Sequence, residues 1–149
     1  SEAASLPSII AAATADITAK TGGRKSVLVF AVDIAHGEKV FESMMEAGHN
    51  VAMVTGDTPS PERSLMLDQF KVGKIRYLIN VMVLTTGFDA PNVDCVVMLR
   101  PTLSPGLYYQ MVGRGFLFCM QMVGRIIDPH PLRIEVLEDV GVLVNTSNP

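Results

Sequence analysis

The sequence predicts an α/β fold in which a parallel sheet carries helices on both faces. Four short apolar runs, rich in β-branched residues, alternate with longer segments of helical period. Such runs are typical of strands that are covered on both faces in a parallel sheet. The connections between them are short, and this alternation predicts right-handed crossovers. A chain of 149 residues is long enough for one domain with its own core.

The N-terminal segment, residues 1–25, is predicted to form a helix and a turn. The helix runs from Leu6 to about Lys20, and glycines at positions 22 and 23 end it. Residues 26–149 form the main domain, with a tail after about residue 126, and residues 26–32 are its first strand. We expect one apolar stripe on this helix, made of Ile9, Ile10, Ala13 and Ile17.

Helix signals mark the next two helices. Asp33 is placed to cap the second helix, and Gly48 supplies a left-handed exit before a strand over residues 50–55. Ser60 is predicted to cap the third helix, which ends at Gly73. We expect the following apolar side chains of these helices to face the core: Ile34, Val40, Phe41, Met44, Met45, Leu65, Leu67 and Phe70.

The remaining elements complete the sheet. Residues 77–83 and 95–99 are predicted to be the third and fourth strands. Ser104 and Pro105 have the residue types that begin a further helix. The segment LRIEVLEDVGVLV, which follows Pro131, is predicted to contribute one more strand.

Composition limits the classes of function. The formal charge of -3 creates no overall basic field, so contacts with nucleic acid would come from local donors. Cys95 and Cys119 are far apart and have no accompanying His cluster, so we expect neither a metal site nor a disulfide. The first residues, SEAASLPSIIAAA, lack the basic region of a signal peptide and the length of a membrane span. A cytoplasmic protein with no membrane partner is therefore expected.

Polar residues that directly follow strands are the first candidates for a site, because ligands of open parallel sheets gather at the carboxyl ends of strands. Asp33 follows the first strand, where a helix cap is favoured over a ligand. Thr55 and Gly56 follow the second strand. A hydroxyl and free backbone amides suit a passing phosphodiester, and a plain turn explains these two residues equally well.

A third candidate follows the third strand, in the string TTGFDAP. Gly87 lets the main chain approach a partner closely, and Thr85 and Thr86 offer hydroxyl groups. Asp89 places an acceptor beside this loop. Of the three places, this one is the most specific.

Two polar residues of the helix after residue 104 complete the candidates. Gln110 and Arg114 are four residues apart and share one helix face, where an amide and a guanidinium can both contact a polyphosphate. An arginine offers planar, bidentate donors that stabilise charge on a transferring phosphoryl group.

The order of these features resembles motifs V and VI of superfamily 2 helicases, and the strings TTGFDAPNVD and RPTLSPGLY are most similar to the RadD branch of DNA repair helicases. The resemblance implies a RecA-like C-terminal lobe of the P-loop NTPase type. It also implies that Thr55, Gly56, Thr85 and Thr86 face nucleic acid. By the same resemblance Gly87, Asp89, Gly113 and Arg114 lie beside the nucleotide, where Arg114 and Gln110 take part in catalysis.

The chain departs from this family pattern by repeating QMVGR at residues 121–125. The family pattern continues to a finger arginine, but Leu117 follows the first copy at that position and Asp128 follows the second. On one continuous helix Arg114 and Arg125 would lie about 16 Å apart, so one phosphate cannot use both. We favour Arg114, because its distance from the preceding motif is normal for the family.

The resemblance implies the C-terminal lobe of an ATP-dependent DNA helicase or translocase. Its partners are single-stranded or branched DNA and an N-terminal RecA-like lobe of the same polypeptide, which holds most of the ATP and Mg²⁺. This chain alone is expected to bind no cofactor and to be inactive. One alternative is a non-catalytic α/β module with a degraded motif VI that binds nucleic acid or protein. A small-molecule enzyme ranks last, because no G-x-G-x-x-G string follows a strand.

Overall fold

The computed structural model describes residues 6–31, 34–81, 93–99, 133–137 and 141–145. These ranges contain three helices and six strands. In chain order the elements are α1 (Leu6–Lys20), β1 (Val27–Ala31), α2 (Ile34–Glu46), β2 (Val51–Val54), α3 (Ser60–Lys71), β3 (Tyr77–Val81), β4 (Cys95–Leu99), β5 (Arg133–Leu137) and β6 (Gly141–Asn145). The helix predicted from Ser104 lies outside the described residues.

All six strands form one sheet in the order β2-β3-β1-β4-β6-β5. The four strands β1 to β4 are parallel, as predicted. The prediction of one strand after Pro131 is wrong, because β5 and β6 form an antiparallel pair and β6 also pairs antiparallel with β4. Only residues 138–140 join β5 to β6, and a connection this short joins antiparallel neighbours. The predicted fold class, α/β with a parallel sheet and helices, is confirmed.

The strand order places helices on both faces of the sheet. The chain moves outward from β1 to β2 and then back inward from β2 to β3. With right-handed crossovers, two connections that run in opposite directions lie on opposite faces, so α2 and α3 are separated by the sheet. α1 lies beside α2, where the Thr14 hydroxyl donates to the Ser43 hydroxyl oxygen at 2.7 Å.

The largest apolar cluster lies between the sheet and the helices α1 and α2. It consists of Ile10, Ala13, Ile17, Val27, Val29, Ala31, Val40, Met44, Tyr77, Ile79, Val81, Cys95, Val97 and Leu99. At Gly37 the backbone of α2 approaches the sheet closely, since a Cβ there would lie 3.2 Å from Cγ2 of Val81. On the opposite face Leu28, Phe30 and Leu78 are buried, and α3 adds Phe70.

Several predictions about single residues are confirmed. The stripe of α1 buries Ile10, Ala13 and Ile17. The glycines that follow α2 and α3 have positive φ, 87° at Gly48 and 82° at Gly73, which is the left-handed exit that glycine allows without strain.

Other predictions are wrong. Ser60 is the first residue of α3 and not its cap, because Pro59 with φ -57° and ψ 144° already has the extended conformation of an N-cap. Leu65, Met45 and Ile34 are exposed by 58%, 55% and 40%. The strand β2 at the sheet margin has only four residues, so the helices beside it can bury only a narrow stripe.

Candidate nucleic-acid interface

The structure describes two of the predicted site residues, Thr55 and Gly56, at the carboxyl end of β2. The other predicted site residues lie outside the described residues. They are Thr85, Thr86, Gly87, Asp89, Gln110, Gly113 and Arg114. Asp33, the predicted helix cap, also lies outside them. The described part of the candidate site therefore consists of residues 55–58, which we call the turn 55–58.

Hydrogen bonds within the turn 55–58 close it on itself. The Thr58 amide donates to the Thr55 carbonyl at 3.1 Å, and the Thr55 amide donates to Thr58 Oγ1 at 3.0 Å. The Asp57 amide donates to Thr55 Oγ1 at 3.0 Å. Since both hydroxyl oxygens accept backbone N–H groups, the side chains fix the backbone of the turn.

The exposure of these residues decides what they can offer to a ligand. Thr55 is only 7% exposed, Gly56 and Asp57 are exposed, and Thr58 is half-buried. A hydroxyl that accepts one hydrogen bond still carries its own O–H donor. The turn therefore presents an exposed glycine backbone, the Asp57 carboxylate and the Thr58 hydroxyl, and Thr55 mainly holds their shape.

A pocket of about 300 Å³ opens beside the turn, between the start of α2 and the end of β2. Its walls combine apolar, hydroxyl and carboxylate side chains, from Ile34, Glu38, Met53, Thr55, Asp57 and Thr58. The two carboxylates make the interior of this pocket unfavourable for a phosphate group.

Arg63, which the sequence analysis did not select, also contacts the turn. Its Nη2 donates to the Thr58 carbonyl at 3.3 Å, and its backbone N–H donates to the Pro59 carbonyl at 2.9 Å. One feature of the sequence could have indicated this residue. Arg63 stands in the first turn of a predicted helix, where the helix dipole disfavours a positive charge.

Within the described ranges, no three His, Cys, Asp or Glu side chains lie close enough together to hold a metal ion. Cys95 is buried in the core, as the sequence predicts for an ordinary core residue. None of the described helices combines the length and hydropathy needed to cross a bilayer.

Comparisons with known proteins agree with this architecture. Residues 8–116 match the family described as the helicase conserved C-terminal domain. The Saccharomyces cerevisiae protein IRC3, whose name describes an ATP-dependent helicase, is 42% identical to this chain over 91 residues. These residues are 61% of this chain and 13% of that protein. The Schizosaccharomyces pombe irc3, named as mitochondrial, is 41% identical over 92 residues, 62% of this chain and 15% of that protein.

A solved structure shows the same fold. Saccharomyces cerevisiae Dbp5 bound to RNA and ADP BeF3 superposes with a TM-score of 0.55 at 29% identity, over 65% of this chain and 26% of that chain. The chain thus spans a small part of each of these relatives.

Proposed function

This chain belongs to the helicase conserved C-terminal domain family of superfamily 2, and we propose that it is the second RecA-like lobe of an ATP-dependent DNA helicase or translocase. The observation that carries the proposal is the turn 55–58. It is rigid, presents an exposed glycine and a hydroxyl, and stands at the carboxyl end of a parallel sheet. Ligands of such sheets bind at that end.

The turn suits a nucleic-acid backbone better than a base sequence. Backbone amides and hydroxyls donate to phosphate oxygens, which every nucleotide carries, so such contacts position a strand without selecting its sequence. A translocase needs this tolerance, because it must grip each successive nucleotide alike. We assign Gly56 and the Thr58 hydroxyl to this track, with Thr55 as the residue that holds the turn. By the family resemblance we also assign Thr85 and Thr86 to it.

The residues that we assign to the ATP site lie outside the described residues, so their assignment is supported by the family match, which extends to residue 116. Arg114 and Gln110 would contact the phosphates, with Gly87, Asp89 and Gly113 beside the nucleotide. ATP and Mg²⁺ would be held mainly by an N-terminal lobe of the same polypeptide. Different affinities of the two lobes for the successive nucleotide states would then open and close the cleft.

The nature of the nucleic acid is the finer part of the proposal. We propose single-stranded or branched DNA, because the strings TTGFDAPNVD and RPTLSPGLY resemble the RadD branch. RNA is the second candidate, favoured by the likeness to a Dbp5 structure that contains RNA. Phosphate contacts alone serve both polymers, since the 2′-hydroxyl is what distinguishes them.

We also propose a cytoplasmic location. Cell fractionation would test it, because one relative is named as a mitochondrial protein.

ATP hydrolysis by the full-length gene product tests the proposal. We expect turnover to rise when single-stranded or branched DNA is added, and to rise less with RNA of the same sequence. Arg114→Ala should lower turnover by about a hundredfold or more, because the guanidinium stabilises charge on the transferring phosphoryl group. Arg125→Ala, in the second QMVGR copy, is the matched control and should leave turnover unchanged.

The alternatives give different results in the same assay. A protein that binds DNA but hydrolyses no ATP would be the non-catalytic module. Stronger stimulation by RNA than by DNA would replace the proposed substrate. Loss of turnover in Arg125→Ala with normal turnover in Arg114→Ala would transfer the phosphate contact to the second copy.

A further inference from the structure

Arg63 occupies a position in α3 that is unfavourable for a cation. Its backbone N–H makes the first hydrogen bond of the helix, to the Pro59 carbonyl at 2.9 Å. The side chain therefore stands at the positive end of the helix dipole, where acidic residues are stabilised and basic ones are not. The neighbouring Glu62 is the acidic residue of that first turn, and the Arg63 side chain makes one further contact that offsets the cost.

The contact that offsets it is made with the turn 55–58. Nη2 of Arg63 donates to the Thr58 carbonyl at 3.3 Å. The amide and the hydroxyl oxygen of Thr58 are both bonded to Thr55. Arg63 thus binds the Thr58 carbonyl, so that Thr58 is held through its amide, its hydroxyl oxygen and its carbonyl.

The orientation of the guanidinium distinguishes support of the turn from a direct grip on phosphate. Nε of Arg63 is buried and has no hydrogen-bond acceptor among the residues that the structure describes. The side chain as a whole is only half-buried. An arginine that serves solely to reach a phosphate keeps its donors in solvent and lays only its stem on the protein. In Arg63, by contrast, the Nε edge of the guanidinium faces the interior of the protein.

We propose that Arg63 is a positioning residue, which holds the turn 55–58 in the shape that receives the nucleic-acid backbone and acts through the Thr58 carbonyl. This inference rests on the proposed function of the turn. It assigns to Arg63 a hydrogen-bonding role in which the donor matters and the positive charge does not.

Two variants separate the donor from the charge. Arg63→Gln keeps N–H donors on a side chain two bonds shorter and removes the charge, whereas Arg63→Met removes both and keeps an unbranched stem. Lys74→Met is the matched control, because Lys74 is an exposed cation before β3, at the opposite end of the sheet. Each variant is made in the full-length protein, and circular dichroism confirms that it is folded.

The measurement is the affinity for single-stranded DNA over a series of salt concentrations. We expect Arg63→Met to weaken binding about fivefold to tenfold, Arg63→Gln to restore most of it, and Lys74→Met to bind as the parent does. All variants should keep the parent's slope of log affinity against log salt. Equal losses of DNA affinity in Arg63→Gln and Arg63→Met, together with a salt slope smaller by about 0.7 to 0.9, would show a direct phosphate contact. That result would overturn the inference.

The same experiment separates failure of this inference from failure of the proposed function. Thr58→Val and Thr86→Ala test the track itself. If both weaken binding while the two Arg63 variants bind like the parent, the positioning role is wrong and the track remains. If none of these four variants weakens binding, the turn is not a nucleic-acid contact and the role of Arg63 is refuted with it. Should Arg63→Met not fold, Arg63→Ala replaces it as the variant that lacks a donor, with the same expected loss of affinity.

Discussion

The two ends of the sheet hold their loops in different ways, and two arginines show the difference. Arg76 lies before β3, at the amino end of the sheet. Its Nε donates to the Arg24 carbonyl at 2.9 Å, and its Nη2 donates to the carbonyls of Thr21 at 2.7 Å and Gly22 at 3.4 Å. Arg63 lies at the carboxyl end, where its side chain makes one such bond and buries an Nε without an acceptor in the described ranges.

Their positions relative to helices are also opposite. The carbonyls that Arg76 binds follow the last residue of α1, so its positive charge faces the negative end of that helix dipole. Arg63 stands at the positive end of α3. The amino end is therefore arranged for stability, and the carboxyl end keeps an unfavourable arrangement that we connect with function.

Further contacts at the amino end support this contrast. The carboxylate of Asp94 accepts the amides of Lys25 at 2.9 Å and Ser26 at 3.2 Å. The Thr21 hydroxyl donates to the Ile17 carbonyl, so in its 2.6 Å contact with the Tyr77 hydroxyl it must act as the acceptor. These bonds join α1, the loop before β1, β3 and β4.

The largest expected effect is that of Arg76→Met on stability. Removing the guanidinium removes three hydrogen bonds to backbone carbonyls, although the Thr21 carbonyl still accepts the Arg24 amide at 3.0 Å. It also removes a cation that lies 4.8 Å from the centre of the Tyr77 ring. We expect the free energy of unfolding to fall by about 2 to 3 kcal/mol. Urea denaturation followed by circular dichroism measures it, because the chain has no tryptophan.

Arg63→Met is the matched comparison for this first variant. It should lower the free energy of unfolding by less than about 1 kcal/mol, since one hydrogen bond is lost and an unfavourable cation is removed with it. Nucleic-acid affinity should behave in the opposite way and fall only in Arg63→Met. Equal destabilisation by the two variants would abolish the contrast between the ends.

A smaller effect is expected for Asp94→Ala. The carboxylate accepts two backbone amides, so its loss should cost about 1 to 2 kcal/mol. Asp94→Asn retains one acceptor oxygen and should recover about half of that cost. A loss of DNA affinity in folded Asp94→Ala would argue that the amino end also takes part in binding.

Among the variants at the amino end, the smallest effect is expected for Tyr77→Phe. The ring remains buried and only the hydroxyl donor to Thr21 is lost, so we expect a cost of about 1 kcal/mol. Thr21→Val removes the acceptor of the same bond, and a double-mutant cycle would isolate their interaction. Strictly additive costs would mean that this contact does not join α1 to the sheet.

Sequence patterns predicted the elements better than their surroundings. The β-branched run at Val27–Ala31 and the glycines after α2 and α3 were recognised because their signals are local. The inward orientation of Leu65 was wrong, because the burial of a helix face depends on the width of the sheet beneath it. Similarly, the rule for strand ends located Thr55 and Gly56, but it could not identify the contact between Arg63 and Thr58.

The sequence by itself determined the helices α1 to α3 and the strands β1 to β4, since period, β-branching and glycine act within a few residues. Only the tertiary structure decided the strand order β2-β3-β1-β4-β6-β5, the antiparallel direction of the last two strands and the partners of the two arginines. These depend on which distant backbone groups come within about 3 Å of each other. No short stretch of sequence contains that information, because each such contact joins segments that fold separately along the chain.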